Sequence, residues 1–403
     1  MKPMKTTRLA ALSLALLGGA EVALASEVTI TAEYRPSSTN ARFKNTTPVG
    51  GFCNVFPTEP ECSTDNHSIG LGVEYNKKYI HFAPIRDMLS VGLPGARELD
   101  VVEASSGEAH KLSFLINKFS ARSEGGSSSF TNPMWSGFVL GGCGYIISLG
   151  NVGYGVGLWN VTNPESPSLC YSHSSRGAVG DEMDVLVKNF SIGYVLRTPN
   201  PLAMRAGIYE GRLEFSVGSN GTPGDFDLGN GVSGSPPSTV TLNFVLDVQH
   251  AFELQFPANS DKVILEPPGG WMRWLNGGPA PEKLVRDLPF RITKTGPMSV
   301  FMECEYPVGL LCGVRNPRNN HIAALDIKMS LPGGLQLHNG QAVERHPIPT
   351  GRTMPLRVET VTPVFNQPGA LHFATAPGEA AAMVQHPGDT YRGNVTVVFD
   401  ALL

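Results

Sequence analysis

The sequence predicts an all-β protein built as two β-sandwich domains. Three observations carry that expectation. Apolar and polar residues alternate with period two in many short runs. Turn formers punctuate those runs, with 45 glycines and 32 prolines in 403 residues, roughly a fifth of the chain against a usual ~12 %. Charged residues make up only 16 %, where about 25 % is ordinary, which argues against long solvated helices and coiled coils. A net charge of −4 offers no basic face to a phosphate backbone, so nucleic acid is not expected as a partner.

Residues 1–25 read as a secretory signal peptide. Lys2, Lys5 and Arg8 precede an apolar stretch from Leu9 to Leu17, and Ala23-Leu24-Ala25 supplies a small-x-small cleavage site. Gly18-Gly19-Ala20-Glu21 interrupts the apolar run well short of the ~20 residues a membrane span needs. Losing Lys2, Lys5, Arg8 and Glu21 with that segment takes the net charge from −4 to −6. Export permits disulfides, and the six cysteines fall as near neighbours: Cys53 with Cys62, Cys143 with Cys170, Cys304 with Cys312. Other pairings are formally open, but the clustering makes sequential bridges the simplest.

Val28, Ile30, Ala32 and Tyr34 alternate immediately after the cleavage site. They suit the first strand of a sandwich, or alternatively a free strand that would be donated to another chain. Leu213, Phe215 and Val217 repeat the pattern, as do Val240, Leu242, Phe244 and Leu246. The Gly/Ser/Pro-rich stretch from Gly218 to Pro237 resembles a linker, yet the strand following it could close the first domain. The boundary therefore falls later: 26–248 form the first sandwich, 249–251 (Gln249-His250-Ala251) the linker, and 252–403 the second sandwich. The second begins at Phe252 and proceeds between Pro-Gly turns at Pro268-Gly269, Pro332-Gly333, Pro368-Gly369 and Pro387-Gly388, a cadence that suits an immunoglobulin-like fold.

Catalytic motifs are hard to find. None of the ten histidines pair at metal-binding spacing, and there is no nucleophile elbow or P-loop. Gly153 to Gly157 has the glycine spacing of a phosphate loop but no flanking βαβ pattern, so a strand or bulge is expected there. The pairs Asp181/Glu182 and Asp225/Asp227 read as solvated loop charge. No metal, cofactor or enzymatic activity is expected. Trp135 and Trp159 could stack on a sugar ring, although core packing is the commoner fate of a tryptophan.

The chain ends with Gly393, Val395, Val397, Phe399, Ala401 and Leu403 on one face at strict period two. A strong β-strand at the extreme C-terminus can close a sandwich, or border a groove that another chain's strand fills. Here the sequence resembles the minor tip adhesins, or pilus initiators, of class 5 (alpha) chaperone–usher fimbriae, which include the colonisation factor antigen I tip adhesin and the cable-pilus initiator. The pieces that carry the likeness are Ala206 to Leu213, Thr239 to Pro257, Ser299 to Cys304, Thr362 to Phe365, and Tyr391-x-Gly393-Asn394 with the hydrophobes after it.

That resemblance implies a fimbrial tip subunit, exported through the periplasm to the cell surface, which initiates assembly and binds a host-surface glycan. It implies a periplasmic pilus chaperone, an outer-membrane usher and a major pilin whose N-terminal strand completes the second domain. Tyr391, Gly393, Val395, Val397, Phe399 and Leu403 would line the receiving groove, and Arg42 lies near a receptor-contacting arginine of the family. Two departures stand out. Asn366 occupies the place of the family's second pilin-domain cysteine, and Gly218-Ser219-Asn220 replace its receptor-pocket arginines. An exported glycan-active β-sandwich enzyme and a purely structural pilus initiator are the alternative expectations.

Overall fold

A computed structural model describes residues 25–37, 41–62 and 67–401; the signal-peptide expectation lies outside them, apart from Ala25. The chain is all-β, and among the described residues the α-helices are two single turns, Met272–Leu275 and Glu379–Met383. Alternation is the cause. In the strand Thr239–Val248 the apolar side chains Val240, Leu242, Phe244, Leu246 and Val248 are buried, while Asn243, Val245 and Asp247 lie half-covered between them.

The described residues of 25–248 form one connected sheet system around a large core, with a smaller cluster of Phe52, Cys53, Phe56, Val156 and Leu158 beside it. Its spine is a pair of 16-residue strands, Ala109–Glu124 and Glu182–Arg197, paired antiparallel with two register shifts. Aromatic rings run through the core in an unbroken series. Trp159 meets Phe119 at 5.2 Å, Phe119 meets Phe190 at 4.9 Å, and the line continues through Phe226, Phe215 and Phe114 to Phe244. Edge-to-face contacts of this kind add to the area each ring buries.

The alternating segment after the cleavage site is a strand of this first half. Ala25–Tyr34 lies parallel to Thr239–Val248 over ten paired positions, and Ile30, Ala32 and Tyr34 point into the core. The glycine-rich stretch 218–237 also belongs here. Phe226–Asp227 pairs with Gly207–Gly218 and with Leu89–Leu93, and Val232–Ser233 pairs with Tyr75–Ile80. Gly153 to Gly157 enters the strand Tyr154–Val161, which carries a bulge at Leu158/Trp159.

Two sheets enclose a separate core between Phe290 and Leu371. One runs Phe252–Gln255, Val285–Lys294, Val364–Thr375, Ile322–Ser330, Leu311–Arg315, Tyr306–Val308; the other runs Leu335–Leu337, Leu356–Thr360, Met298–Cys304, Val395–Asp400. Pro368-Gly369 is not the turn expected of it: both residues sit inside the strand Val364–Thr375, opposite Arg291 and Phe290. Gly369 is required there because a Cβ would come within 2.6 Å of the Phe290 ring.

The three disulfides are the sequential ones, Cys53–Cys62, Cys143–Cys170 and Cys304–Cys312. Between the two cores, Gln249-His250-Ala251 is pinned rather than loose. His250 Nε2 donates to the Met204 carbonyl at 2.8 Å, its Nδ1 accepts from the Thr295 hydroxyl at 3.3 Å, and the Ala251 amide donates to the same hydroxyl at 2.8 Å. Gly296 leaves room for the imidazole, since a Cβ would meet it at 2.5 Å.

Candidate functional site

Val395–Asp400 is an edge strand. It pairs antiparallel with Met298–Cys304 on one side, matching Val395 to Cys304, Val397 to Met302 and Phe399 to Val300. On its other side no strand pairs with it among the described residues. Phe252–Gln255 is likewise the outermost strand of the opposing sheet, paired among the described residues only with Val285–Lys294. Phe252, Leu254, Val395, Val397 and Phe399 all pack against the core yet remain only partly covered. Two incomplete edges therefore flank the same core.

Two side chains span the interval between them. The Phe290 ring lies 5.8 Å from Phe399 and 5.3 Å from Phe256, just beyond the Phe252–Gln255 strand. Lys294 is fully buried; its ammonium sits 5.3 Å from the Phe252 ring centre and donates to the Ala401 carbonyl at 3.1 Å. Burial pushes the Lys294 amine down to about 8, and the charge of Asp400 acts in the opposite sense. A half-covered apolar face along an edge strand is what an added β-strand requires: main-chain pairing for affinity, alternate side chains for register.

The groove residues expected from the sequence divide. Val395, Val397 and Phe399 lie on the edge strand with their side chains half-covered. Val398 is half-covered as well, so the alternation is less strict than the sequence suggests. Tyr391 and Gly393 precede the strand, which is a correction to that expectation. Arg392 between them bridges to Arg315, Tyr391 bonds His321 at 3.1 Å, and Gly393 closes on the Gly313 carbonyl, where a Cβ would sit at 2.8 Å. Leu403 lies outside the described residues. Lys294 and Phe290 were missed: a lysine in an amphipathic strand reads as solvated, and only the fold brings either residue to the chain end.

The binding candidates in the first half also separate. Trp159 is 1 % exposed and packed on Phe119; the structure removes it as a ligand platform, because core packing covers both of its faces. Trp135 is exposed on the turn before Val139–Gly141, lying over Gly150. Arg42 is exposed in the loop before the short strand Lys44–Asn45. The acidic pairs are held in separate local contacts. Asp225 meets Arg97 at 2.8 Å, Asp227 pairs with Arg86, Glu182 meets Lys78 at 2.7 Å, and Asp181 accepts from the Ala178 amide at 2.6 Å. Among the described residues no group of three His, Cys, Asp or Glu side chains could hold a metal ion.

No family model and no curated protein matches the chain. Among solved structures, similarity is found to a chaperone–tip adhesin complex of CFA/I fimbriae, at 10 % identity and a TM-score of 0.25, covering 94 % of this chain and 97 % of that one. It is also found to a chaperone–tip adhesion subunit pre-assembly complex from the archaic chaperone–usher Csu pili of Acinetobacter baumannii, at 9 % identity and a TM-score of 0.21, covering 94 % and 99 %. Scores that low leave the assignment to the chain's own geometry.

Proposed function

We propose that this chain is a tip subunit of a chaperone–usher fimbria, in which residues 26–248 form an adhesin domain and 252–403 an incomplete immunoglobulin-like pilin domain. The observation that carries it is the pair of unfinished edges, Val395–Asp400 and Phe252–Gln255, on one apolar core. An inserted strand burying four or so apolar side chains at ~1.5–3 kcal/mol each contributes on the order of 10 kcal/mol gross, comparable with the ~5–15 kcal/mol of a whole domain. The donor is a periplasmic chaperone before assembly and the N-terminal strand of a major pilin afterwards. An outer-membrane usher passes the chain to the cell surface, where the first domain meets a host glycan. The part of the first strand is different: Ala25–Tyr34 pairs within its own half, as befits a subunit with nothing beyond it.

The test is expression of the full chain alone, with a chaperone of this class, or with an alternating apolar segment fused after Leu403. Aggregation alone and rescue by either partner are expected. A stable, cooperatively melting monomer without any partner would sink the proposal.

A further inference from the structure

We infer that Phe82, His173 and Phe138 form a binding platform for a neutral pyranose sugar. This deepens the adhesive part of the function proposed above and rests on it. The three residues come from three separate turns, at the ends of the strands Tyr75–Ile80 and Ser168–Ser172 and before Val139–Gly141. The Phe138 ring stacks on the His173 imidazole at 4.7 Å and 14°, and Phe82 covers it from another direction at 4.8 Å and 42°. Both phenyl rings are about half exposed, at 48 % and 53 %. Phe82 holds φ at +52°, a left-handed backbone that a bulky residue adopts only when its surroundings enforce it, and such positions gather at functional sites.

The base beneath the rings is built from satisfied polar groups. The Tyr79 hydroxyl donates to His81 Nδ1 at 2.8 Å and accepts from the Ser174 amide at 2.9 Å; His81, under Phe82 at 4.2 Å, is buried. The Ser136 hydroxyl donates to the His173 carbonyl, fixing the turn that carries Phe138. The exposed rings are thus held in place before any ligand arrives, which lowers the ordering cost of binding.

The chemistry of the ligand follows from His173 itself. Its Nδ1 lies 2.8 Å from the Ser174 carbonyl and donates to it, which leaves Nε2 of the neutral ring as an acceptor on an imidazole that both phenyl rings touch. An apolar peptide or a lipid tail lying there would cover that acceptor without a donor to offer it, a costly arrangement. A pyranose carries C–H faces for the phenyl rings and hydroxyl donors on the same skeleton. Charge selects a neutral one. Asp181, whose backbone carbonyl accepts from the His81 amide at 2.9 Å, sets a carboxylate beside this base that repels an anion, and the Arg176 guanidinium is turned to the Ser128 carbonyl at 3.0 Å.

Saturation-transfer NMR tests the platform on the full chain, in whichever form, unmodified or with the fused segment, is monomeric. The probes are methyl β-D-galactopyranoside, methyl α-D-mannopyranoside, methyl N-acetyl-β-D-glucosaminide and, as the anionic control, N-acetylneuraminic acid. At least one neutral pyranoside is expected to bind. Phe82→Gly, which suits the left-handed backbone, and Phe138→Ser should each weaken it at least about tenfold, with unchanged melting temperature. Met354→Ser, an exposed apolar residue of the second half away from both edges, should leave binding intact. Binding that survives both platform substitutions, or binding of the anionic sugar alone, overturns the platform while leaving the adhesive function standing. No binding of any probe overturns the platform too, and recovery of the protein by the fused segment would still uphold the groove.

Discussion

Lys294 and Ala401 are joined by a hydrogen bond, ammonium to backbone carbonyl at 3.1 Å, inside a site closed to water. Through it the end of the terminal strand is tied to Val285–Lys294, the strand that pairs with Phe252–Gln255. The same lysine therefore reaches Phe252 on one edge strand and Ala401 just past the other. An ammonium has three N–H donors, and this carbonyl takes one of them.

The Lys294 amine should cost stability near neutral pH. Its folded value of about 8 lies below the ordinary lysine value of 10.5, so below about pH 8 both folded and unfolded chains carry the charge and the burial penalty is complete. Between those values the unfolded chain binds a proton that the folded chain does not, and stability rises with pH. The difference corresponds to roughly 3 kcal/mol. Lys294→Met should raise the melting temperature at neutral pH, with a gain of about 1–3 kcal/mol after loss of the hydrogen bond. That gain should shrink near pH 10, and paired melts across this range would show it.

Lys77 should behave in the opposite way on substitution. It is also fully buried, with its amine pushed down to about 8 by burial, but its ammonium donates to three carbonyls: Arg86 at 2.8 Å, Leu228 at 3.2 Å and Asn230 at 2.5 Å. Lys77→Met would take their donor from the Leu228 and Asn230 carbonyls and leave the Arg86 carbonyl only the Asn230 amide, and a loss of about 3 kcal/mol is expected. The glycine-rich stretch 218–237 should then become sensitive to protease in limited digestion.

Deleting residues 26–35 should unfold the first half. The ladder to Thr239–Val248 spans ten positions and carries Ile30, Ala32 and Tyr34 into the core, each large side chain contributing ~1.5–3 kcal/mol. Loss of near-UV circular dichroism and rapid proteolysis of the truncated protein are expected. A truncate melting like the intact protein would instead mark this strand as a removable donor.

Among the disulfides, Cys143–Cys170 should matter most to the unfolded chain. Its sequence separation of 27 compares with 9 for Cys53–Cys62 and 8 for Cys304–Cys312. In the chain-entropy model these correspond to about 3.6 kcal/mol against about 2.5 kcal/mol. Double Cys→Ala variants compared by denaturant melts should show a gap of about 1 kcal/mol.

Much of the fold was legible because it is local. Thr239 to Val248 announces its buried face in ten consecutive residues, and the spacing of the cysteines already favours the bridges that form. The misreadings have physical causes. Pro368-Gly369 has the composition of a turn, yet it serves a strand because Gly369 clears space for Phe290. Trp135 and Trp159 are equal as residue types, and only packing separates the exposed ring from the buried one. Phe82, Phe138 and His173 lie on unrelated turns with no shared period, so no pattern in the chain could join them. Lys77 and Lys294 were invisible for a different reason: their burial depends on carbonyls supplied by distant residues.

The parallel ladder between Ala25–Tyr34 and Thr239–Val248 sets a timetable. The first strand to be synthesised waits for a partner more than two hundred positions away, and loop closure of that length precedes any reward from pairing. Until Val248 has been delivered, a ten-residue strand with three core side chains has only the short local pairing with Lys44–Asn45 and is otherwise open to wrong partners. The first half is consequently completed last, at the seam where it meets the linker. A chain halted anywhere before Thr239 would be no smaller version of this domain, only an open sheet with its opening strand still waiting.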